Sequence, residues 1–186
     1  MVPLLSLWLP IVVSAVLVFI VSSIIHTVLG YHRNDFGRLS NEDAVMTALR
    51  PFDLPPGDYV MPYAGSSAAM KSTEYTQKLN AGPVAFITVL PKGTFNMGTA
   101  LVLWFVYTLL VGIFAAYIAG RALAPGAEYL EVFRFAGTTA FVGYSLALMQ
   151  GSIWYHRNWR ATLVSMADGL IFGLLTGGTF GWLWPA

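Results

Sequence analysis

Residues 161–184 read ATLVSMADGLIFGLLTGGTFGWLW. A bilayer core of about 30 Å is crossed by roughly 20 apolar residues in a helix, and this stretch meets that length with a single charge, Asp168, inside it. Small residues recur at every fourth position: Ala161, Ser165, Gly169, Gly173, Gly177 and Gly181. Residues four apart share one helix face. The ladder is therefore a groove that another backbone can approach closely, which is what drives helix association in lipid. Asp168 follows Arg160 by about 12 Å of helix at 1.5 Å per residue. An ionised carboxylate at that depth is costly unless it is paired or turned toward protein.

Working back from that helix, three more stretches have the same character. Leu4–Leu29 holds no Lys, Arg, Asp or Glu, and it lacks the basic n-region and small-residue cleavage site of a signal peptide. Met97–Gly120 is closed by Arg121, and Val132–Trp154 is preceded by Glu128 and Glu131. The whole chain agrees with this reading: 56% of its 186 residues are hydrophobic and 10% charged, against roughly 25% charged in a soluble domain. The expected fold is an all-α integral membrane protein, a four-helix transmembrane bundle with a small mixed α/β cytoplasmic insert. The expected boundaries are helix 1 at residues 1–30, insert 31–96, helix 2 at 97–121, helix 3 at 128–156 and helix 4 at 160–185. Trp8, Trp104, Trp154, Trp159, Trp182 and Trp184 fall toward the span ends, as an aromatic belt at headgroup level requires.

Four spans put both termini on one side. The other side carries Arg33, Arg38, Arg50, Lys71, Lys78, Lys92, Arg157 and Arg160, against Arg121 and Arg134 near the termini. The positive-inside rule places the long segment in the cytoplasm and both termini outside. Within the insert, Ser40 and Asp43 form a capping-box-like start to a helix over 41–50, stopped by Pro51. Pro55-Pro56-Gly57-Asp58 is a turn, Thr73–Asn80 a second short helix, and Val84–Leu90 a strand with Tyr59–Met61 as its expected partner. The six basic and six acidic residues of this segment cancel, which argues against a polybasic lipid-binding patch.

Small residues also punctuate the second span (Gly112, Ala116, Gly120) and the third (Thr139, Gly143, Ala147, Gly151). The ladder of the fourth, Ser165, Gly169, Gly173, Gly177 and Gly181, marks a tight interface, either internal or with another subunit. A short echo accompanies it. Tyr31-His32-Arg33-Asn34 ends the first span and Tyr155-His156-Arg157-Asn158 the third, as in two related hairpins or simply as aromatic and basic residues at helix ends.

Chemistry-bearing residues are few. His26, Gln150 and Asp168 lie at similar depth on three spans and form the expected intramembrane polar cluster, serving as a proton or cation relay, a structural hydrogen-bond network or a partner contact. His26, His32 and His156 approach the same face and are candidate haem or metal ligands, although no cofactor is expected. There are no cysteines, which excludes disulfides and thiolate sites. Gly-x-Ser-x-Gly, phosphate-loop and His-Glu-x-x-His motifs are absent from the sequence. A net charge of +1 from scattered residues gives no basis for nucleic-acid binding.

Tyr31-His32-Arg33-Asn34-Asp35, Asn41-Glu42-Asp43-Ala44, Pro56-Gly57-Asp58-Tyr59, Leu130-Glu131-Val132-Phe133-Arg134 and Ser152-Ile153-Trp154-Tyr155 together resemble a set of bacterial inner-membrane proteins with no assigned activity. The resemblance covers most of the chain and implies a bacterial inner-membrane location, with no catalytic residue to carry over. The expected function is a non-enzymatic membrane accessory or structural subunit, packed in lipid against other membrane subunits or its own copies. A small proton- or cation-coupled transporter using Asp168 and His26 is the alternative, and a haem- or metal-binding redox subunit a third.

Overall fold

The computed structural model describes every residue of the chain except Phe95. The described residues form two compact units, Met1–Gly37 with Asn96–Ala186, and the described residues between them, from Arg38 onward. The division falls after Gly37, where the sequence suggested Gly30, so the segment following the first long helix belongs to the helical unit.

Four stretches in that unit are long and apolar enough to cross a membrane: Leu4–Leu29, Met97–Ala122, Tyr129–Tyr155 and Trp159–Trp182. The first consists of a 3-10 turn (Leu4–Leu7), α1 (Trp8–Ile24) and a π turn (Ile25–Leu29). Helices α2–α4 and strands β1 and β2 belong to the smaller unit. α5 (Met97–Ala122) starts on Asn96, whose side chain accepts from the Thr99 N–H at 3.1 Å. α6 (Tyr129–Phe141) runs through a π turn (Val142–Leu146) into α7 (Leu148–Tyr155). α8 (Trp159–Trp182) is capped by Asn158.

These helices close a ring in which α1 packs on α5 and α8, and α6 packs on α5 and α8. Backbone bonds from Val2 N–H to the Gly120 carbonyl and from Gly126 N–H to the Pro185 carbonyl gather both termini and the α5–α6 turn at one end. The segment after α1 and the α7–α8 turn lie at the other.

Small side chains set how closely the ring is drawn. A Cβ added at Gly177 would stand 2.8 Å from the Phe133 carbonyl oxygen and 2.9 Å from Gly137 Cα; at Gly173 it would stand 3.0 Å from the Gly137 carbonyl oxygen. The ladder of α8 is thus consumed inside the protein, against α6. Gly112 of α5 faces Ile11 of α1 in the same way, and Gly120 faces the Val2 carbonyl. Gly143 turns instead toward Val111. Gly137, which the spacing on the third span did not single out, is that helix's contribution to the α8 contact.

The core around these approaches is apolar and mostly small: Ala115, Ala116, Ala119, Val132 and Ala136 surround Phe180 near the termini. Trp104 departs from the expected aromatic belt. It is half-buried, donates its indole N–H to Ser22 Oγ at 2.8 Å and packs on Tyr144 and Phe172.

In the smaller unit, α2 (Glu42–Leu49) is capped by Asn41, which accepts from Ala44 N–H. The cap is therefore Asn41 and not the expected Ser40, because the helix starts one residue later, at Glu42. Pro51 then diverts the chain into a 3-10 turn, Arg50–Phe52. β1 (Gly57–Met61) and β2 (Ala85–Val89) pair antiparallel, with Gly57 opposite Val89 and Met61 opposite Ala85. Thr88 Oγ1 donates to Asp58 directly across the ladder. Between the strands in sequence lie α3 (Ser67–Met70) and α4 (Thr73–Ala81), ended by Gly82.

Candidate functional site

The site is built by the way α1 stops. Gly30 is left-handed, φ 65°, the conformation that terminates a helix at little cost only for glycine. The chain then folds into a 3-10 turn over Tyr31–Asn34, with Asp35 N–H donating to the His32 carbonyl. On a continuing helix, His26 and His32 would point about 120° apart at 3.6 residues per turn. The reversal instead stacks their rings, 4.4 Å between centroids and 6° from parallel.

The same turn delivers two groups to Asp168 of α8. The Tyr31 hydroxyl donates to Asp168 Oδ1, and His32 Nε2 lies 2.7 Å from Asp168 Oδ2. His32 Nδ1 is 2.6 Å from Asp35 Oδ2, so the imidazole is held between two carboxylates. The other oxygen of Asp35 is buried and accepts no hydrogen bond from the described residues; Arg160 Nη1 stands 4.0 Å from it. Asp168 is 3% exposed. Its rotation inward follows from its neighbour Gly169, because a side chain there would collide with Ser145 of the α6–α7 π turn. Packing on the glycine face thereby aims the adjacent carboxylate.

Electrostatics follow the contacts. Burial acts to lower the His32 pKa, but its bonds to Asp35 and Asp168, and their charges, outweigh burial and raise it. The Tyr31 hydroxyl is pushed up to about 12, by burial and then by its bond to Asp168 and that carboxylate's charge. Tyr31 is accordingly a neutral donor across the physiological range.

No family model, curated protein or solved structure matches this chain. Its site must be read from its own geometry.

Two of the three residues expected to cluster come together. His26 and Asp168 offer ligand atoms that, with one from His32, all lie within 4.8 Å of one another. Gln150 is exposed and lies outside this group. Tyr31 and Asp35 are not among the residues expected from the sequence, and His32 is expected there only as a candidate ligand beside His26 and His156, because counting depth along α1 assumes that the helix continues. The signal that could have found them is Gly30 directly before Tyr31.

His156 occupies no counterpart of His32. It is exposed and itself left-handed, φ 52°, at the end of α7, whereas on the first helix the left-handed residue precedes the tetrapeptide. The two echoes therefore differ in local conformation. Stacked face to face, His26 and His32 are not set to bracket a porphyrin, which requires two imidazoles on opposite sides of one iron.

Gly30 is also where the site can be loosened without touching its chemistry. Gly30→Ala is expected to cost about 1–2 kcal/mol, the usual penalty for a side chain in the left-handed region. Gly37→Ala, with open space around its Cβ, should cost nothing measurable. Thermal unfolding of the two variants in the same detergent checks this; equal midpoints would remove Gly30 from its structural role.

Proposed function

We propose that this chain is a small multi-pass membrane protein of the transporter class, which binds a cation at Asp168 on one face of the bilayer. The observation that carries this is a buried carboxylate in the last long helix, met directly by an imidazole and a phenol from the turn after the first. An ionisable group within a membrane helix is costly to keep there and generally marks a path or site for ions. His32, rather than His26 alone, is the imidazole partner in this reading.

The function expected from the sequence, a membrane accessory subunit, rests on the small-residue faces, and the glycine face of the last long helix is occupied by α6. What remains on the outside of the long helices is apolar surface suited to lipid. The distribution of Lys and Arg, together with the resemblance noted for the sequence, supports a bacterial inner membrane with both termini outside and the Asp168 site at the cytoplasmic end.

The test is flux in proteoliposomes, followed with an entrapped pH-sensitive dye and, separately, a zinc-sensitive one. The wild type should move one of these ions faster than empty vesicles. Asp168→Asn, nearly identical in shape, should abolish that movement while eluting and folding as the wild type does. Flux that persists in the variant, or none in the wild type, ends this reading.

A further inference from the structure

We propose that His26, His32 and Asp168 form a site for one divalent transition-metal ion of the zinc type, bound through His26 Nε2, His32 Nε2 and Asp168 Oδ2. This rests on the cation-site reading above and names its ligand.

Each of the three residues has its other polar atom already engaged. His26 Nδ1 is 2.9 Å from the Ser22 carbonyl oxygen, so the proton sits on Nδ1 and the lone pair on Nε2. His32 Nδ1 faces Asp35 at 2.6 Å, which likewise leaves Nε2 to bind. The Tyr31 hydroxyl holds Asp168 Oδ1 and leaves Oδ2 directed at His32. A backbone carbonyl and a carboxylate behind two imidazoles, and a donor behind a carboxylate, are the outer contacts that orient ligands at metal centres. Three ligands of this kind would also leave a coordination position open, as in sites that exchange water or substrate.

Distance and ligand type narrow the ion. Metal–nitrogen and metal–oxygen bonds of about 2.0–2.2 Å put neighbouring ligand atoms roughly 3.3 Å apart in a tetrahedral site. One ligand atom from each of the three residues already lies within 4.8 Å of the others, so the set closes once a ring turns toward the ion. Two imidazoles disfavour magnesium and calcium, which take oxygen ligands, and the absence of thiols from the sequence disfavours copper(I).

A metal must lie in the plane of each ring it binds, and two parallel stacked rings share no plane. Binding therefore opens the His26–His32 stack. His26 is the ring that can turn, since its side chain is exposed, whereas His32 is held at both nitrogens. The ion takes the place of the proton between His32 and Asp168.

The experiment titrates cobalt(II), then zinc as its displacer, into the protein in nanodiscs of zwitterionic lipid. The wild type should bind one cobalt with the visible absorption of a four-coordinate ion and release it to zinc. His26→Ala removes a ligand without touching the His32–Asp168 pair, so the fold is retained. It should weaken binding at least roughly tenfold, and Tyr31→Phe, which removes a positioning residue, by a similar factor. Wild type that binds neither metal, or His26→Ala that binds as tightly as wild type, overturns the site. Metal binding without flux would leave this site standing and end the transporter reading. Proton flux without metal binding would do the reverse.

Discussion

Asp168→Ala is expected to cost about 3 kcal/mol or more of stability, the scale on which removing one partner of a buried ion pair is felt. The lost carboxylate satisfies two groups at once, the Tyr31 hydroxyl and His32 Nε2, and an alanine leaves both without a partner inside the bundle. His32 then keeps Asp35 alone. Asp168→Asn should cost far less, because its amide oxygen can still accept from Tyr31 and its shape is unchanged. Denaturant unfolding in mixed micelles, followed by tryptophan fluorescence, separates the two. If the alanine variant unfolds within about 1 kcal/mol of wild type, as an exposed pair would allow, Asp168 is not paired as described.

Gly177→Val should be the most damaging change on the apolar side. The added carbons would meet the Phe133 carbonyl oxygen and Gly137 Cα, and both are backbone atoms that cannot rotate away. α6 and α8 would have to separate along their whole contact. Overpacking of this kind costs about 1–3 kcal/mol and occasionally more, and the two backbone neighbours, with the Phe133 ring 3.1 Å away beside them, put this site at the upper end. Gly178→Ala is the control on the same turn: its Cβ would sit 3.5 Å from the Tyr129 hydroxyl, an ordinary contact. Stability measured as for Asp168 should fall sharply for the valine at 177 and stay level for the alanine at 178. Equal effects would mean that the ladder faces lipid.

Why the helices were legible from the residues and the site only half so has a physical reason. Length and apolarity define a membrane-crossing helix almost without context, and a four-residue period of small side chains survives any packing partner. That is why the glycine face of α8 and the inward position of Asp168 could be anticipated. The partner of Asp168 depended on one backbone angle. Gly30 turns the chain back, which exchanges a histidine counted by helix depth for one brought in by a turn. Gln150 failed on the other coordinate, rotation: counting residues from the helix end says nothing of which way a side chain faces, and Gln150 is exposed. Trp104 misled similarly, since a tryptophan two turns into a helix can serve the interface or the core, and here Ser22 decides for the core.

The ring closes through α1 and α8, the first and last of the long helices, and the Tyr31–His32–Asp168 contact joins residues 136 and 137 positions apart. During synthesis from the N-terminus, the turn that carries His32 is complete long before Asp168 leaves the ribosome. An ionised carboxylate that reaches the bilayer after that turn has formed would meet its imidazole partner there, which lowers the cost of burying it. Assembly in the opposite order would expose the charge to hydrocarbon first, so the order of the genes' reading frame and the order of energetic compensation coincide.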